Sequence, residues 1–259
     1  MKNPKELQVA QKACFEAGKI AVKYFHEGFN IMHKGKADLV TDADIDCENK
    51  IREIILNAFP EHSFLGEESG RKGASEFVWV VDPIDGTTNF SHRLDVFSHS
   101  IGLVKGNEIL CGAIFNPLQK KLFTAAKGKG AFLNGKKIHV SKTQKLVDSL
   151  LVTGFPYERN SLDDKTLRSI ASLRGKCQDL RRFGSAALDF CSVAQGVLDG
   201  FFEYSLKPWD VAAGILIVRE AGGKVTDING LPAQIDSGHF LASNGLLHNG
   251  IMKSLERVE

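Results

Sequence analysis

The sequence feature that most constrains the fold is an uninterrupted apolar run at residues 77–81. These residues are Phe-Val-Trp-Val-Val, and Asp82-Pro83 follows at once. A strand without polar alternation is apolar on both faces, so both faces must be covered by other elements. We therefore predict a layered fold with this strand inside it, and we predict that the strand ends at Asp82-Pro83.

The remaining pattern predicts helices and sheets in an α+β fold made of two halves. Two amphipathic helices, the second starting near Thr41, precede the apolar strand, and an antiparallel meander follows it. The hairpin dipeptide Asn134-Gly135 lies in that meander, within a predicted strand region at residues 131–140. After about residue 145 strands and helices alternate. We expect residues 1–145 and 146–259 to be tightly joined as one unit.

Composition excludes several classes of protein. The chain has 259 residues, 43% of them apolar, and a net charge of +2, so it lacks a general polyanion-binding signature. Its five cysteines are odd in number and form no C-x-x-C pair, which favours reduced, buried thiols over a zinc or disulfide framework. We find neither a signal peptide nor an apolar stretch of the ~18–20 residues that a membrane span requires. We expect a cytoplasmic, enzyme-sized domain.

Two carboxylates stand at the carboxyl end of the apolar strand. Asp82 and Asp85 are three positions apart, and Pro83 stiffens the backbone between them. Ligand sites tend to lie at such strand ends, and two carboxylates on a rigid turn can converge on one hard cation. The Ile84 carbonyl could supply a third oxygen. The alternative, common for either residue alone, is that they form only an Asx-turn and a helix cap.

Gly86, Thr87 and Thr88 complete this segment. They would open a short helix whose N–H groups could receive a phosphate oxygen. The combination of apolar strand, two carboxylates, glycine and threonine pair is more specific than any of its parts. It favours phosphate chemistry around a cation.

Three further acidic segments allow two interpretations each. Glu67 and Glu68 follow a short strand, Asp210 starts an apolar helix, and residues 38–46 contain four acids. Glu67 and Glu68 could be a solvated turn, Asp210 could be only a helix cap, and residues 38–46 could be a solvated helix start. Alternatively they could face Asp82, and an Asp held against a Thr hydroxyl could orient or deprotonate a water. Nothing local decides between these alternatives.

Taken together, these segments resemble the inositol monophosphatase family, within the lithium-sensitive, magnesium-dependent phosphatases, and in particular a bacterial-type member. The resemblance implies an αβαβα sandwich of the sugar-phosphatase type and a homodimer. The matching segments are Asp38-Leu39-Val40-Thr41 with Asp44, Gly66-Glu67-Glu68-Ser69, residues 79–90, Gly184-Ser185-Ala186-Ala187, Trp209-Asp210-Val211-Ala212 and Glu220-Ala221-Gly222-Gly223.

The resemblance also implies roles for individual residues. The first half would carry most ligands of two or three Mg²⁺ ions, and the second half would carry Asp210 and substrate contacts. The implied metal ligands are Glu67, Asp82, the Ile84 carbonyl, Asp85 and Asp210. The implied catalytic residues are Thr87, Asp44 and Asp38. The implied substrate-binding residues are Asp85, Gly86, Thr87, Thr88, Arg181, Gly184, Ser185, Ala186 and Glu203.

The activity that the resemblance implies is Mg²⁺-dependent hydrolysis of myo-inositol 1-phosphate to inositol and phosphate, by direct attack of a metal-activated water. Carboxylates alone would repel a phosphate dianion, so divalent ions fit this chemistry. One alternative is a broader sugar phosphatase that includes fructose 1,6-bisphosphatase activity. Another is a regulator that binds transcription machinery or nucleic acid, since Arg181-Arg182 and Lys207 resemble such members, although solvated basic residues would look the same.

Overall fold

The structure, a computed structural model, describes residues 4–33, 39–156 and 161–255, so that Asp38 lies outside the described residues. The helices in these ranges are α1 (Lys5–Glu27), α2 (Asp42–Ala58), α3 (Thr87–Ser91), α4 (Ser161–Leu173), α5 (Ala186–Ala194), α6 (Pro208–Glu220) and α7 (His248–Met252). The strands are β1 (Ile31–His33), β2 (Leu39–Thr41), β3 (Ser63–Gly66), β4 (Gly70–Lys72), β5 (Phe77–Asp85), β6 (Ser98–Lys105), β7 (Glu108–Asn116), β8 (Lys121–Ala126), β9 (Gly130–Leu133), β10 (Lys136–Lys137), β11 (Leu150–Thr153), β12 (Asp179–Arg181), β13 (Gly200–Glu203), β14 (Lys224–Asp227) and β15 (Phe240–Ser243).

Two main sheets carry the fold. The larger sheet has the strand order β10-β9-β8-β7-β6-β5-β3-β4, and the smaller has β12-β11-β13-β15-β14. The predicted antiparallel meander is present from β5 to β10, while β3 runs parallel to β5. A separate hairpin of β1 and β2 precedes α2.

Helices cover both sheets and separate them from each other. One core cluster lies between α1, α2 and the larger sheet, a second surrounds α5 and α6 between the sheets, and a third lies beneath α4 and α7. The layer order is therefore helices, sheet, helices, sheet, helices. The predicted α+β, αβαβα sandwich is confirmed.

The apolar strand β5 lies inside the larger sheet, as predicted. Trp79 and Val81 pack into the cluster beneath α1 and α2, and Val80 packs into the cluster around α6. The prediction that this strand ends at Asp82-Pro83 is wrong, because β5 continues to Asp85. Its register against β6 shifts between Asp82 and Asp85, so the strand bulges where proline lacks an N–H for the ladder.

Two smaller differences from the sequence predictions lie near the surface. The predicted strand region at residues 131–140 is a hairpin of β9 and β10, which turns at Asn134 and Gly135, both with positive φ. The pair of β1 and β2 was not predicted, because three-residue strands carry too few residues to show a period. All five cysteines are free and buried. Within the described ranges, no helix is long and apolar enough to cross a membrane.

Candidate active site

Three carboxylates from both halves of the chain meet at the bulged end of β5. One ligand atom from each of Asp82, Asp85 and Asp210 lies within 4.8 Å of the other two. The approach of α6 to the sheet is what brings Asp210 there. A Cβ on Gly102 of β6 would lie 2.9 Å from the Cβ of Ala212, so only glycine permits this close packing.

Asp82 lies at the centre of this carboxylate cluster. Its side chain is 2% exposed, and among the described residues its Oδ1 atom has no hydrogen-bond partner. Burial raises its pKa well above the usual range, and the charges of Glu67, Asp85 and Asp210 raise it further. A buried, unpartnered carboxylate oxygen is costly unless something positive faces it. The oxygen donors of this cluster therefore fit a hard cation.

Asp85 joins the cluster to the first turn of α5. Its carboxylate accepts hydrogen bonds from the Ser185 hydroxyl and from the backbone N–H groups of Ala186 and Ala187, at 3.1 and 3.0 Å. Burial raises the pKa of Asp85 to about 6, and these hydrogen bonds oppose part of that rise. The segment predicted to contact substrate thus also fixes the orientation of Asp85.

Asp210 satisfies both interpretations that the sequence left open. Its Oδ2 atom accepts a hydrogen bond of 2.7 Å from the Lys207 backbone N–H, so it caps α6. The same carboxylate faces Asp82 and Asp85. Burial raises its pKa to about 7, against the lowering effect of that capping hydrogen bond.

Thr87 and Asp44 lie in contact beside the cluster. The Thr87 hydroxyl is 3.0 Å from the Ile84 carbonyl oxygen and 3.3 Å from Asp44 Oδ1, and it can donate to either. The other oxygen of Asp44 accepts hydrogen bonds from the Thr41 N–H, at 2.7 Å, and the Thr41 hydroxyl, at 2.5 Å. Asp44 is thus both the capping acid of α2 and the neighbour of Thr87. Asp38 lies outside the described residues.

Glu67 directly follows β3 and lines the same cavity as Asp82 and Asp210. The turn that holds Glu67 depends on Glu48 of α2, a residue to which the sequence assigned no role. The buried Glu48 carboxylate accepts hydrogen bonds from the backbone N–H groups of Glu68 and Ser69, at 2.8 and 2.9 Å. No local motif marks Glu48, because its partners are twenty residues away in sequence.

Two adjoining cavities share Phe155, Pro156, Glu203, Leu206 and Asp210 in their walls. The smaller cavity has a volume of about 90 Å³ and is lined by Glu67, Asp82, Ile84, Gly86 and Thr87, among others. The larger has about 440 Å³ and is lined by Asp85, Thr88, Asn89, Gly154, Arg182, Gly184, Ser185 and Ala186, besides the shared residues. The structure thus brings together most of the predicted site residues. Glu67 and Asp82 line the smaller cavity, Asp85 and the 184–186 segment line the larger, and Asp210 lines both.

Arg181 is the exception. It lies exposed on β12, where its guanidinium pairs with Asp179, and it lines neither cavity. The structure therefore does not bring Arg181 to the expected substrate space, and the neighbouring Arg182 lines the larger cavity instead. The sequence could not separate the two, since adjacent side chains of an extended segment point in opposite directions.

Asn89 and Gly154 are further residues that sequence reasoning missed. The Asn89 side-chain amide donates to the carbonyls of Val96, at 2.7 Å, and Phe183, at 2.8 Å, and so ties α3 to the segment before α5. Gly154 leaves room for the Glu203 carboxylate, since a Cβ there would lie 2.1 Å from Glu203 Oε1. Asn89 stands within the quoted motif, but nothing in the sequence gave it a role.

Comparison with known proteins gives the same architecture and the same family. A family model described as the inositol monophosphatase family matches residues 3–259. The chain is 43% identical to the inositol-1-monophosphatase of Synechocystis sp., over 96% of this chain and 88% of that protein. It is 39% identical to the Nus factor SuhB of Pasteurella multocida, over 96% and 95% of the two chains. It is 38% identical to the fructose-1,6-bisphosphatase/inositol-1-monophosphatase of Aquifex aeolicus, over 96% and 94%.

Two solved structures superpose closely. The extragenic suppressor protein suhB of Bartonella henselae matches with a TM-score of 0.92 and 37% identity, over 97% of this chain and 98% of that one. The inositol monophosphatase of Anabaena (Nostoc) sp. matches with a TM-score of 0.87 and 40% identity, over 96% and 94%. Both similarities extend over the whole layered fold.

Proposed function

This chain belongs to the inositol monophosphatase family and is a phosphoric monoester hydrolase, and we propose that it hydrolyses myo-inositol 1-phosphate to inositol and phosphate. The observation that carries the proposal is the pair of adjoining cavities. The carboxylates fit for cations lie in the smaller cavity and at its junction with the larger one, and the larger cavity continues from there along Gly184, Ser185 and Ala186. A phosphate ester of a polyol has one end suited to each.

We propose Mg²⁺ as the cofactor of this metal-dependent family, with two or three ions per site. The residues that would hold them are Glu67, Asp82, the Ile84 carbonyl, Asp85 and Asp210. Bound Mg²⁺ would neutralise the repulsion between these carboxylates and the phosphate dianion, lower the pKa of water and stabilise the leaving alkoxide. Asp82 is the central ligand in this assignment because its Oδ1 atom has no partner in the described part of the chain.

Thr87 and Asp44 would position and activate the attacking water. The Thr87 hydroxyl has one proton, and donating it to Asp44 Oδ1 leaves the oxygen lone pairs free to accept a hydrogen bond from water. Thr41 holds the other oxygen of Asp44, so the Asp44 carboxylate is kept in place to accept that proton. Direct attack of that water on phosphorus requires no covalent intermediate.

The backbone of Gly86, Thr87 and Thr88 would cradle the phosphate. Gly86 has a φ of 95°, and a Cβ there would come within 3.0 Å of the Val96 carbonyl oxygen. This left-handed, crowded position suits glycine and sets the direction in which α3 begins. On the polyol side, Glu203 and the segment from Gly184 to Ala186 would contact hydroxyl groups.

A panel of phosphate esters tests the substrate assignment. Phosphate release would be measured with myo-inositol 1-phosphate, fructose 1,6-bisphosphate, histidinol phosphate and adenosine 3′,5′-bisphosphate at saturating Mg²⁺. We expect the highest kcat/KM for the inositol ester. A higher value for fructose 1,6-bisphosphate would favour the broader sugar phosphatase, which the name of the Aquifex relative supports as the second candidate.

Glu203→Ala should separate polyol recognition from phosphate chemistry. Losing a hydrogen bond to a substrate hydroxyl should raise KM for myo-inositol 1-phosphate about 10-fold, since such bonds contribute about 1–3 kcal/mol. KM for phenyl phosphate, which has no hydroxyls, should change less than about 2-fold. Gly154→Ala should reproduce this selective effect by displacing the Glu203 carboxylate. If KM rises equally for both substrates, Glu203 does not recognise the polyol hydroxyls.

Mg²⁺ should raise the melting temperature more at about pH 8 than at about pH 5. Burial raises the pKa of Asp85 to about 6 and of Asp210 to about 7, from an ordinary 3.8. The metal-free folded chain therefore keeps protons that the unfolded chain has lost, and this contribution to stability disappears as pH rises from about 4 to about 7. Mg²⁺ competes with those protons, so its stabilisation should grow over the same window. An equal shift at both pH values would argue against binding at these carboxylates.

A second function, binding to transcription machinery, is favoured by one relative's name, Nus factor SuhB. Arg181 and Lys207 are exposed basic residues on this chain and would face such a partner. Gel filtration with purified bacterial RNA polymerase tests this. The proposal is supported if the native chain co-elutes with the polymerase and Arg181→Glu abolishes this co-elution without changing phosphatase activity. If the native chain elutes separately from the polymerase, the proposal is wrong.

We further propose that the chain forms a homodimer, works in the cytoplasm and is inhibited by lithium. The five buried free cysteines suit a reducing compartment. Lithium inhibition would follow from its occupying a magnesium position during turnover. We also propose that residues 1–145 and 146–259 act as one catalytic unit, because the central core cluster draws on both. Sedimentation velocity and a lithium titration of turnover test the first and third of these proposals.

A further inference from the structure

We propose that His99 is a positioning residue for the bulged segment from Asp82 to Asp85, and that its imidazole holds the Pro83 carbonyl from the face of the sheet that packs against α1. The inference rests on the proposed metal site and adds to it a residue that touches neither metal nor substrate. The residues it would act on are Asp82, the Ile84 carbonyl and Asp85, which flank Pro83 in sequence.

The bulge of β5 places His99 opposite the irregular segment. Asp82 pairs with Ser100 and Asp85 pairs with Ser98, so β5 has one residue more than β6 between these two pairs. His99 is the β6 residue between them, and its Nδ1 atom makes a short contact with the Pro83 carbonyl oxygen. A bulge interrupts the regular ladder of backbone hydrogen bonds, so hydrogen bonds from side chains must hold the backbone there.

The chemistry of the contact fixes the state of the ring. A carbonyl oxygen only accepts hydrogen bonds, so Nδ1 must carry the proton and donate it. The ring is 0% exposed, and burial lowers its pKa to about 4, so it is neutral at physiological pH. Its Nε2 atom has no hydrogen-bond partner in the described ranges. The Pro83 contact is therefore the one hydrogen bond of the imidazole seen there.

The environment of His99 is otherwise apolar, so packing alone gives no reason for an imidazole. It lies on the side of the sheet that faces α1, where the Cys14 thiol is near its backbone carbonyl and the Phe115 ring is 6.5 Å from its own ring. An aliphatic side chain would fill such a space without leaving a nitrogen unpaired. The hydrogen bond to Pro83 is what distinguishes histidine at this position.

The neighbours of His99 on β6 act on the same site from the other face. Ser98 lies 3.4 Å from Asp85 Oδ2, and the Ser100 hydroxyl donates to the carbonyl of Trp209, at 3.2 Å, immediately before Asp210. Three consecutive residues of one strand thus contact Asp85, Pro83 and the start of α6. This strand fixes the relative positions of the three carboxylates, and His99 holds the bulge between two of them.

Loss of the His99 donor should weaken metal binding without removing a reacting group. In His99→Leu we expect the dissociation constant for Mg²⁺, measured by calorimetry without substrate, to rise about 10-fold or more, as is common when a hydrogen bond behind a metal ligand is lost. At saturating Mg²⁺, kcat should stay within about 3-fold of the native value, because Thr87 and Asp44 are untouched.

His99→Asn provides the rescue, since its amide nitrogen can occupy the position of Nδ1, and we expect a dissociation constant within about 3-fold of the native one. His99→Gln extends the amide towards the Nε2 position and should behave like His99→Leu, so it replaces that variant if the latter does not fold. Cys14→Ala, a packing change on the same face, should leave Mg²⁺ binding unchanged. Native affinity in His99→Leu or His99→Gln would overturn the inference, whereas failure of the native chain to bind Mg²⁺ would overturn the proposed metal site itself.

Discussion

Asp82→Asn should lower kcat/KM for myo-inositol 1-phosphate by about 1,000-fold or more, a loss of about 4 kcal/mol in transition-state stabilisation. Asparagine keeps the size of the side chain and removes its charge. Asp82 is buried, lies in contact range of Asp85 and Asp210, and has an Oδ1 atom without a partner in the described ranges. Removing its charge therefore removes the centre of the cation site.

The same substitution should not destabilise the metal-free protein. Burial raises the pKa of Asp82 well above the usual range, which means that the fold disfavours its ionised form. The variant should melt at the native temperature or above it without metal, and the stabilisation by Mg²⁺ should disappear. Asp179→Asn, an exposed aspartate outside both cavities, serves as the matched control. Near-native turnover of Asp82→Asn at saturating Mg²⁺ would contradict the assignment.

Thr87→Ala should lower kcat by about 100- to 10,000-fold, the usual contribution of a positioned proton-transfer group. The hydroxyl lies within hydrogen-bond distance of Asp44, and Thr87 and Ile84 both line the smaller cavity. KM should change less, because the backbone N–H groups proposed to cradle the phosphate remain. Rapid-quench or steady-state phosphate release separates the two parameters.

Two variants sharpen this second prediction. Thr87→Ser keeps the hydroxyl and should retain activity within about 10-fold. Asp44→Asn should cause a loss similar to that of Thr87→Ala, and the double variant should lose little more, because the two residues act as one unit. Asp46→Asn, on the same helix and hydrogen-bonded to the Tyr24 hydroxyl instead, is the control. Additive losses in the double variant would show that Thr87 and Asp44 act separately.

The parts of the fold predicted from sequence are those with a long or unambiguous pattern. The apolar run that precedes Asp82 required cover on both sides, and the three-layer packing around β5 meets that requirement. The end of the strand was predicted wrongly, because Pro83 ordinarily terminates pairing and only the register with β6 reveals a bulge. The hairpin of β1 and β2 was too short to show a period.

The residues of the candidate site likewise differ in how far the sequence predicted them. The carboxylates of Asp82 and Asp85 were predicted together, because they stand three positions apart in one local segment. Glu67 and Asp210 remained ambiguous, because only the packing of distant elements brings them to the bulged end of β5. Asp210 shows why: capping and clustering use the same carboxylate, so the local capping pattern was correct but incomplete.

Residues whose partners are distant in sequence were not found at all. Glu48 holds the turn after β3 through two backbone N–H groups, and His99 contacts Pro83 across the bulge. Both are single buried polar residues, and such residues occur in many cores without a functional role. Only their contacts in the folded chain distinguish Glu48 and His99 from buried polar residues without a functional role.

The central claim is that this chain hydrolyses a polyol phosphate at a Mg²⁺ site centred on Asp82. The most direct test is phosphate release from myo-inositol 1-phosphate by protein stripped of metal with a chelator, before and after Mg²⁺ is restored. We predict no release above the uncatalysed rate in the stripped protein and a saturable return of turnover with Mg²⁺, which Asp82→Asn does not show. Undiminished release from the stripped protein, or equal recovery in Asp82→Asn, would contradict the claim.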